Sequence, residues 1–102
     1  MKLRHSTKAQ LDMDSIAERI QQDSTRSALR FLEAAEKTAQ ELLLVPEFGA
    51  HWETDDPDFQ DLRVCLVEGF RKYLLFYRIQ GDDVIILRII HGHRNLPDAL
   101  KD

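Results

Sequence analysis

The residues best suited to chemistry lie near the C-terminus, in the run His91-Gly92-His93-Arg94. Histidine titrates near neutrality, so such a pair can take up and release protons at physiological pH. Arginine meets phosphates and carboxylates through charge-assisted hydrogen bonds. If a strand extends this far, its period of two puts His91 and His93 on the same side. A His-x-His pair can also ligate a metal, but no carboxylate or cysteine stands close in sequence to complete a site. No metal and no cofactor is therefore expected. Arg63, Arg71, Arg78 and Arg88 precede the tip along the same stretch. Taken singly, each has a plain structural reading: it rings a sheet edge or pairs with Glu68, Asp82 or Asp83. Taken together with Arg94, they make one basic side of the molecule.

Two other candidates carry less. The segment 47–61 holds Glu47, Glu53, Asp55, Asp56, Asp58 and Asp61 and no Lys or Arg. Its Asp55, Asp56 and Asp58 lack the glycine and distal glutamate of a calcium loop, so the segment reads as a solvated connection. Trp52 and Phe59 are expected to pin it to the body. Cys65, the single cysteine, sits in an apolar strand and reads as a buried, inert thiol.

The elements that must position the tip follow from periodicity. At 102 residues the chain is expected to be one domain, 1–102. A hydrophobic fraction of 43% suits a globular core. No apolar run approaches the roughly 20 residues of a membrane span. No apolar signal core follows the charged start Met1–Ser6, so a cytoplasmic protein is expected. Met1–Ser6 can form a short strand, with Ser6 or Thr7 as an N-cap. Ala9, Met13, Ile16, Ala17 and Ile20 then fall on one face of a helix over Lys8–Gln22. Asp23-Ser24-Thr25 breaks that pattern. A second helix over Thr25–Leu44 follows, with Ala28, Phe31, Leu32, Ala35, Ala39, Leu42 and Leu43 as its stripe, and Pro46 stops it. Helices joined this tightly should form an antiparallel hairpin.

Three strands follow, Leu62–Val67, Phe70–Ile79 and Val84–His91, with turns at Glu68-Gly69 and Gln80–Asp83. The second and third are nearly continuous apolar runs, so both faces of the sheet must be covered. The helical hairpin covers one face. The other falls to Leu96–Leu100 or to a partner protein. The order is β-α-α-β-β-β, an α+β fold with a helical hairpin packed on a small antiparallel sheet.

Net charge is −4, unevenly spread. Residues 1–61 carry seven bases against thirteen acids, and residues 62–102 carry seven against five. The composition is not that of a strongly basic nucleic-acid binder, while it allows a basic sheet on an acidic body.

In this order, the pieces resemble the RelE/ParE superfamily of toxins from type II toxin–antitoxin systems. The resemblance covers almost the whole chain. It is carried by Ala9-x-x-Asp12-Met13-x-x-Ile16-x-x-x-Ile20, by Ala28-x-Arg30-Phe31-Leu32 with Pro46-x-x-Gly49, by Gly69-Phe70 and Leu75-Phe76-Tyr77-Arg78, and by Val84 to His91 ending in His91-Gly92-x-Arg94. The resemblance implies a toxin that a cognate antitoxin holds inactive in a hetero-oligomer. RelE-like members cleave messenger RNA on the ribosome, whereas ParE-like members poison DNA gyrase.

RNA cleavage by the 2′-OH needs a base, a cation for the phosphorane and an acid for the leaving oxygen. Arg94 matches a position where RelE-like nucleases carry an arginine. Two positions depart from them. Leu74 stands where those enzymes have an arginine after a tyrosine, and Leu100 stands where they have a tyrosine. Neither leucine can move a proton or meet a phosphate. The acidic net charge also suits a ribosome-bound enzyme poorly. The chain therefore reads as ParE-like, a non-enzymatic inhibitor of a target such as gyrase. Its expected target-binding residues are Arg63, Arg71, Arg88, His91 and Arg94. The antitoxin is expected to lay an amphipathic helix or strand over the hairpin and the exposed sheet. One alternative is a ribosome-dependent messenger RNase using His91, His93 and Arg94. Another is a degenerate, non-toxic interaction module.

Overall fold

A computed structural model describes residues 2–102; Met1, placed above in the first strand, lies outside the described residues. The chain runs β1 (Leu3–His5), α1 (Thr7–Gln21), α2 (Thr25–Leu44), β2 (Ala50–His51), β3 (Arg63–Val67), β4 (Phe70–Gln80), β5 (Asp83–His91) and α3 (Leu96–Lys101). Single 3-10 turns at Pro46–Phe48 and Pro57–Phe59 flank β2. Both long helices start at a serine cap. Ser6 Oγ accepts from the Ala9 N–H at 3.0 Å, and Ser24 Oγ accepts from the Ser27 N–H at 3.1 Å. Each serine satisfies one of the N–H groups that a helix start leaves without a partner.

The sheet order is β1-β5-β4-β3-β2. The three long strands form the expected antiparallel meander. The two-residue turns Glu68-Gly69 and Gly81-Asp82 each use a glycine at positive φ, 80° at Gly69 and 61° at Gly81, where a Cβ would be strained. The sheet is nevertheless mixed, not purely antiparallel, because β1 pairs parallel to β5. Two helices separate β1 from the meander, so no hairpin dictates its direction. Its ends are fixed by Val84 N–H donating to Lys2 O at 2.9 Å and Ser6 N–H donating to Ile86 O at 2.8 Å. The short edge strand β2 was not expected, because two exposed residues carry no periodic signal.

The helical hairpin covers one face of the sheet. Phe31, fully buried, sits between the rings of Phe70 and Tyr73 at centroid distances of 5.4 and 5.2 Å. Burying such a ring contributes about 1.5–3 kcal/mol. The second face is covered by α3 and by the acidic connection. Leu62, Phe76, Ile90, Ala99 and Leu100 form its buried cluster, with Trp52 and Phe59 packed alongside. Of the two covers the sequence allowed, the C-terminal segment takes the place. Trp52 anchors the connection edge-on against Phe76 at 5.3 Å.

A bulge in β5 orients the tip. Phe76 pairs with Arg88 and Tyr77 with Ile86, which leaves Leu87 unpaired. The extra residue reverses which parity faces the helices. Val84 and Ile86 belong to the hairpin-side cluster before the bulge, and Ile89 belongs to it afterwards. Ile90 belongs to the α3 side. His91 therefore emerges on the side of the helical hairpin.

Candidate functional site: the basic tip of the sheet

The tip forms where β5 ends opposite the irregular start of β4. His91 pairs with Tyr73, and its ring meets the tyrosine ring edge-on, with centroids 5.1 Å apart and an interplanar angle of 86°. The chain then turns tightly. Gly92 N–H donates to Lys72 O at 2.8 Å, and Arg94 N–H donates to His91 O at 3.1 Å. The turn folds the His93 ring onto the His91 ring, stacked at 4.7 Å with an interplanar angle of 20°. It also aims the His93 N–H at His91 Nδ1, 3.0 Å away. That bond needs a lone pair on Nδ1, so it assigns the ring proton of neutral His91 to Nε2.

The surroundings favour this neutral state. The His91 pKa lies below its ordinary 6.5, first because of partial burial and then because of the charges of His93, Lys72 and Arg19. Arg19 occupies the last turn of α1 and reaches this end of the sheet because the hairpin lies over it. Arg19 and Lys72 are exposed. Among the described residues, neither makes a side-chain hydrogen bond or an ion pair. Sequence reasoning missed both. Nothing local marks them, since an exposed cation on a helix or strand end looks like a solvated one.

The arginines expected at the surface divide. Arg94 is at the tip, where its guanidinium donates to the Asp102 carboxylate at 2.8 Å. Arg71 is exposed and adjoins Lys72, so it stands at the same end of the sheet. Its side chain lines a separate groove with Leu66 and Glu68. Arg63 clamps the acidic connection: Nη1 donates to Glu47 O at 3.1 Å and Gly49 O at 2.8 Å, and Nη2 lies 3.1 Å from His51 Nε2. Arg78 does similar work through Asp58 O and Asp61.

Arg88 is not a surface residue. It is 8% exposed, holds Asp12 at 2.7 and 3.2 Å, and donates to Ala99 O at 2.7 Å. Asp12 also accepts from Ile89 N–H at 3.0 Å. The carboxylate thus takes the edge of β5 beyond the reach of β1, which pairs only Val84–Ile86. The other acidic partners suggested by sequence are used elsewhere: Asp83 pairs with Arg4 and Glu68 with Lys37.

The tip holds two imidazoles and several cations. However, His91 Nδ1 is occupied and Arg94 is tied down. Leu74 and Leu100 pack in the apolar cluster under α3, away from the histidines. The arrangement offers charge-assisted hydrogen bonds to an acidic partner.

A second surface lies at the other edge of the sheet. Leu44, Val45, Phe48 and Leu66 are 82%, 54%, 72% and 40% exposed. They account for four of the six large exposed hydrophobics among the described residues, and such clustering marks a contact surface more than scattered residues would. Here β2 pairs only with Arg63 and Val64, so the rest of the β3 edge lacks a strand partner.

Residues 3–96 match the family described as the ParE toxin of type II toxin–antitoxin system, parDE. Among solved structures, the chain is similar to one titled "Chromosomal ParDE TA system from P. aeruginosa". The TM-score is 0.72 and the identity 24%, over 89% of this chain and 95% of that one. It is also similar to the solution structure of the conserved hypothetical protein HP0894 from Helicobacter pylori, at a TM-score of 0.51 and 17% identity over 89% and 93% of the two chains. Both likenesses concern the fold. No curated protein matches the chain.

Proposed function

Because the chain belongs to the ParE toxin family of type II toxin–antitoxin systems, we propose that it arrests growth by binding DNA gyrase in the cytoplasm, without catalysis, and that a cognate antitoxin neutralises it. The observation that carries this reading is the uncompensated charge at the tip. Arg19, Lys72, His91 and His93 converge there, with Arg71 and the Asp102-paired Arg94 at the same end, and no carboxylate lies among the charges acting on the His91 ring. A desolvated acidic surface on a partner is the natural complement of such a patch. The working residues proposed are Arg19, Arg71, Lys72, His91, His93 and Arg94. Arg63 and Arg88 serve the architecture. The 102 residues act as one toxin domain.

The apolar corner of Leu44, Val45, Phe48 and Leu66 supports the antitoxin half of the proposal. An amphipathic segment laid along the end of α2 and the open β3 edge would bury it.

Expression without an antitoxin tests the whole reading. Growth arrest with DNA-damage signalling and intact messages is expected. Codon-phased cleavage of messages on ribosomes would replace it with the RelE-like alternative, in which His91, His93 and Arg94 do the chemistry. A healthy culture of a sensitive host would leave the degenerate interaction module.

A further inference from the structure

We propose that His91 is a proton-operated staple: neutral, it holds the 91–94 turn in the closed form seen here, and protonated, it releases that turn. The staple is the bond from the His93 N–H to His91 Nδ1, 3.0 Å long. A proton on Nδ1 removes the lone pair and sets one N–H against another, so the bond is lost and not merely weakened. Protonation also places an imidazolium flat against the His93 ring, 4.7 Å away. The groups facing His91 are Tyr73 and Lys72 from β4, Arg19 from α1, and His93 from the turn itself. All of them are neutral or cationic at pH 7. Among the described residues no carboxylate acts on the His91 ring, and the Asp102 carboxylate is held by Arg94. Cost and release therefore act together. The remaining holds on the turn, Gly92 N–H to Lys72 O and Arg94 N–H to His91 O, are backbone bonds that do not titrate.

The consequence deepens the gyrase reading and rests on it: the tip would present His93 and Arg94 in one arrangement above the His91 transition and in another below it. The test does not rest on that reading, because it needs no partner. Nuclear magnetic resonance of the full chain between pH 8 and pH 5 reads each imidazole and the His93 and Arg94 amides separately. The His91 ring should titrate below 6.5, and both amides should move with the His91 midpoint. Amide exchange at His93 should quicken roughly three- to tenfold beyond the intrinsic pH effect, the loss expected for one hydrogen bond. In His91→Phe, which keeps an aromatic edge against Tyr73 but has no acceptor, the coupled step should vanish. If that variant does not fold, the wild-type titration decides alone. Amides that ignore His91, or that follow His93 instead, would overturn the staple, as would a His91 midpoint at or above 6.5. Failure to inhibit gyrase would leave the result of this titration standing.

Discussion

At the scale of single residues, the tip and its support make different predictions. His91 has a folded-state pKa below 6.5, so the stability it contributes is fully present above the unfolded value. That contribution is lost as the pH falls through the folded one. Unfolding free energy measured in urea from pH 8 to pH 5 should therefore decline more in the wild type than in His91→Phe. Tyr77 is a structural counterpart. Its hydroxyl donates to Pro46 O at 2.6 Å and accepts from Gly49 N–H at 2.8 Å, which closes the connection after α2. Tyr77→Phe leaves the Gly49 N–H without its partner and should cost about 1–3 kcal/mol in urea unfolding. Gly49 is there for space and not for φ, which is −70°. A Cβ at this position would stand 2.7 Å from the Tyr77 ring and hydroxyl, so Gly49→Ala should also destabilise. Cys65 has its pKa raised to about 11 by burial and then by Glu41. The native protein at pH 8 should resist thiol reagents that label the urea-unfolded chain at once. Rapid labelling of folded protein would contradict that placement.

At the scale of elements, the informative unit is the Asp12–Arg88 pair, which ties α1, β5 and α3 together. Removing one partner from a buried ion pair leaves an uncompensated charge, at a cost of about 3–5 kcal/mol. Asp12→Ala should therefore be far more damaging than a surface substitution such as Asp14→Ala. It should also loosen α3, visible as faster amide exchange over Leu96–Lys101. An apolar pair, Asp12→Leu with Arg88→Met, should recover much of the loss, because the desolvation of both charges disappears. If Asp12→Ala and Asp14→Ala unfold at the same urea concentration, the pair does not hold these elements together. This pair also shows where sequence reading stops. Arg88 lies in an apolar strand and reads as an exposed basic residue, since neither its alternation nor its neighbours reveal Asp12, 76 positions away. Element boundaries fared better: α2 runs over Thr25–Leu44 as its apolar stripe and Pro46 predict.

At the scale of the molecule, an acidic body carries a basic end. Net charge is −4, yet Arg19 and Lys72 meet beside His91 from two different elements. Association driven by such a patch weakens as salt screens it, over a Debye length of about 8 Å at physiological ionic strength. The gyrase binding we propose should therefore slow as ionic strength rises. Arg19→Glu with Lys72→Glu should abolish toxicity while leaving the unfolding midpoint nearly unchanged. Full toxicity from a folded double variant would place the target surface elsewhere. The corresponding change at the apolar corner, Phe48→Asp with Leu66→Asp, should spare toxicity and weaken neutralisation by the antitoxin.

By itself the sequence determined what is local: the stretches where the helices start, the helical stripes, the glycine turns, and a set of motifs specific enough to point to the ParE-like branch. These features depend on residues within a few positions of one another, where periodicity and backbone sterics act. Only the tertiary structure decided which cations are free. It buried Arg88 against Asp12, spent Arg63 on the connection, brought Arg19 to the histidines, and turned His91 toward the helices through the bulge at Leu87. Each of these outcomes depends on which elements pack together, and that depends on filling a common core, not on any property of the residue concerned.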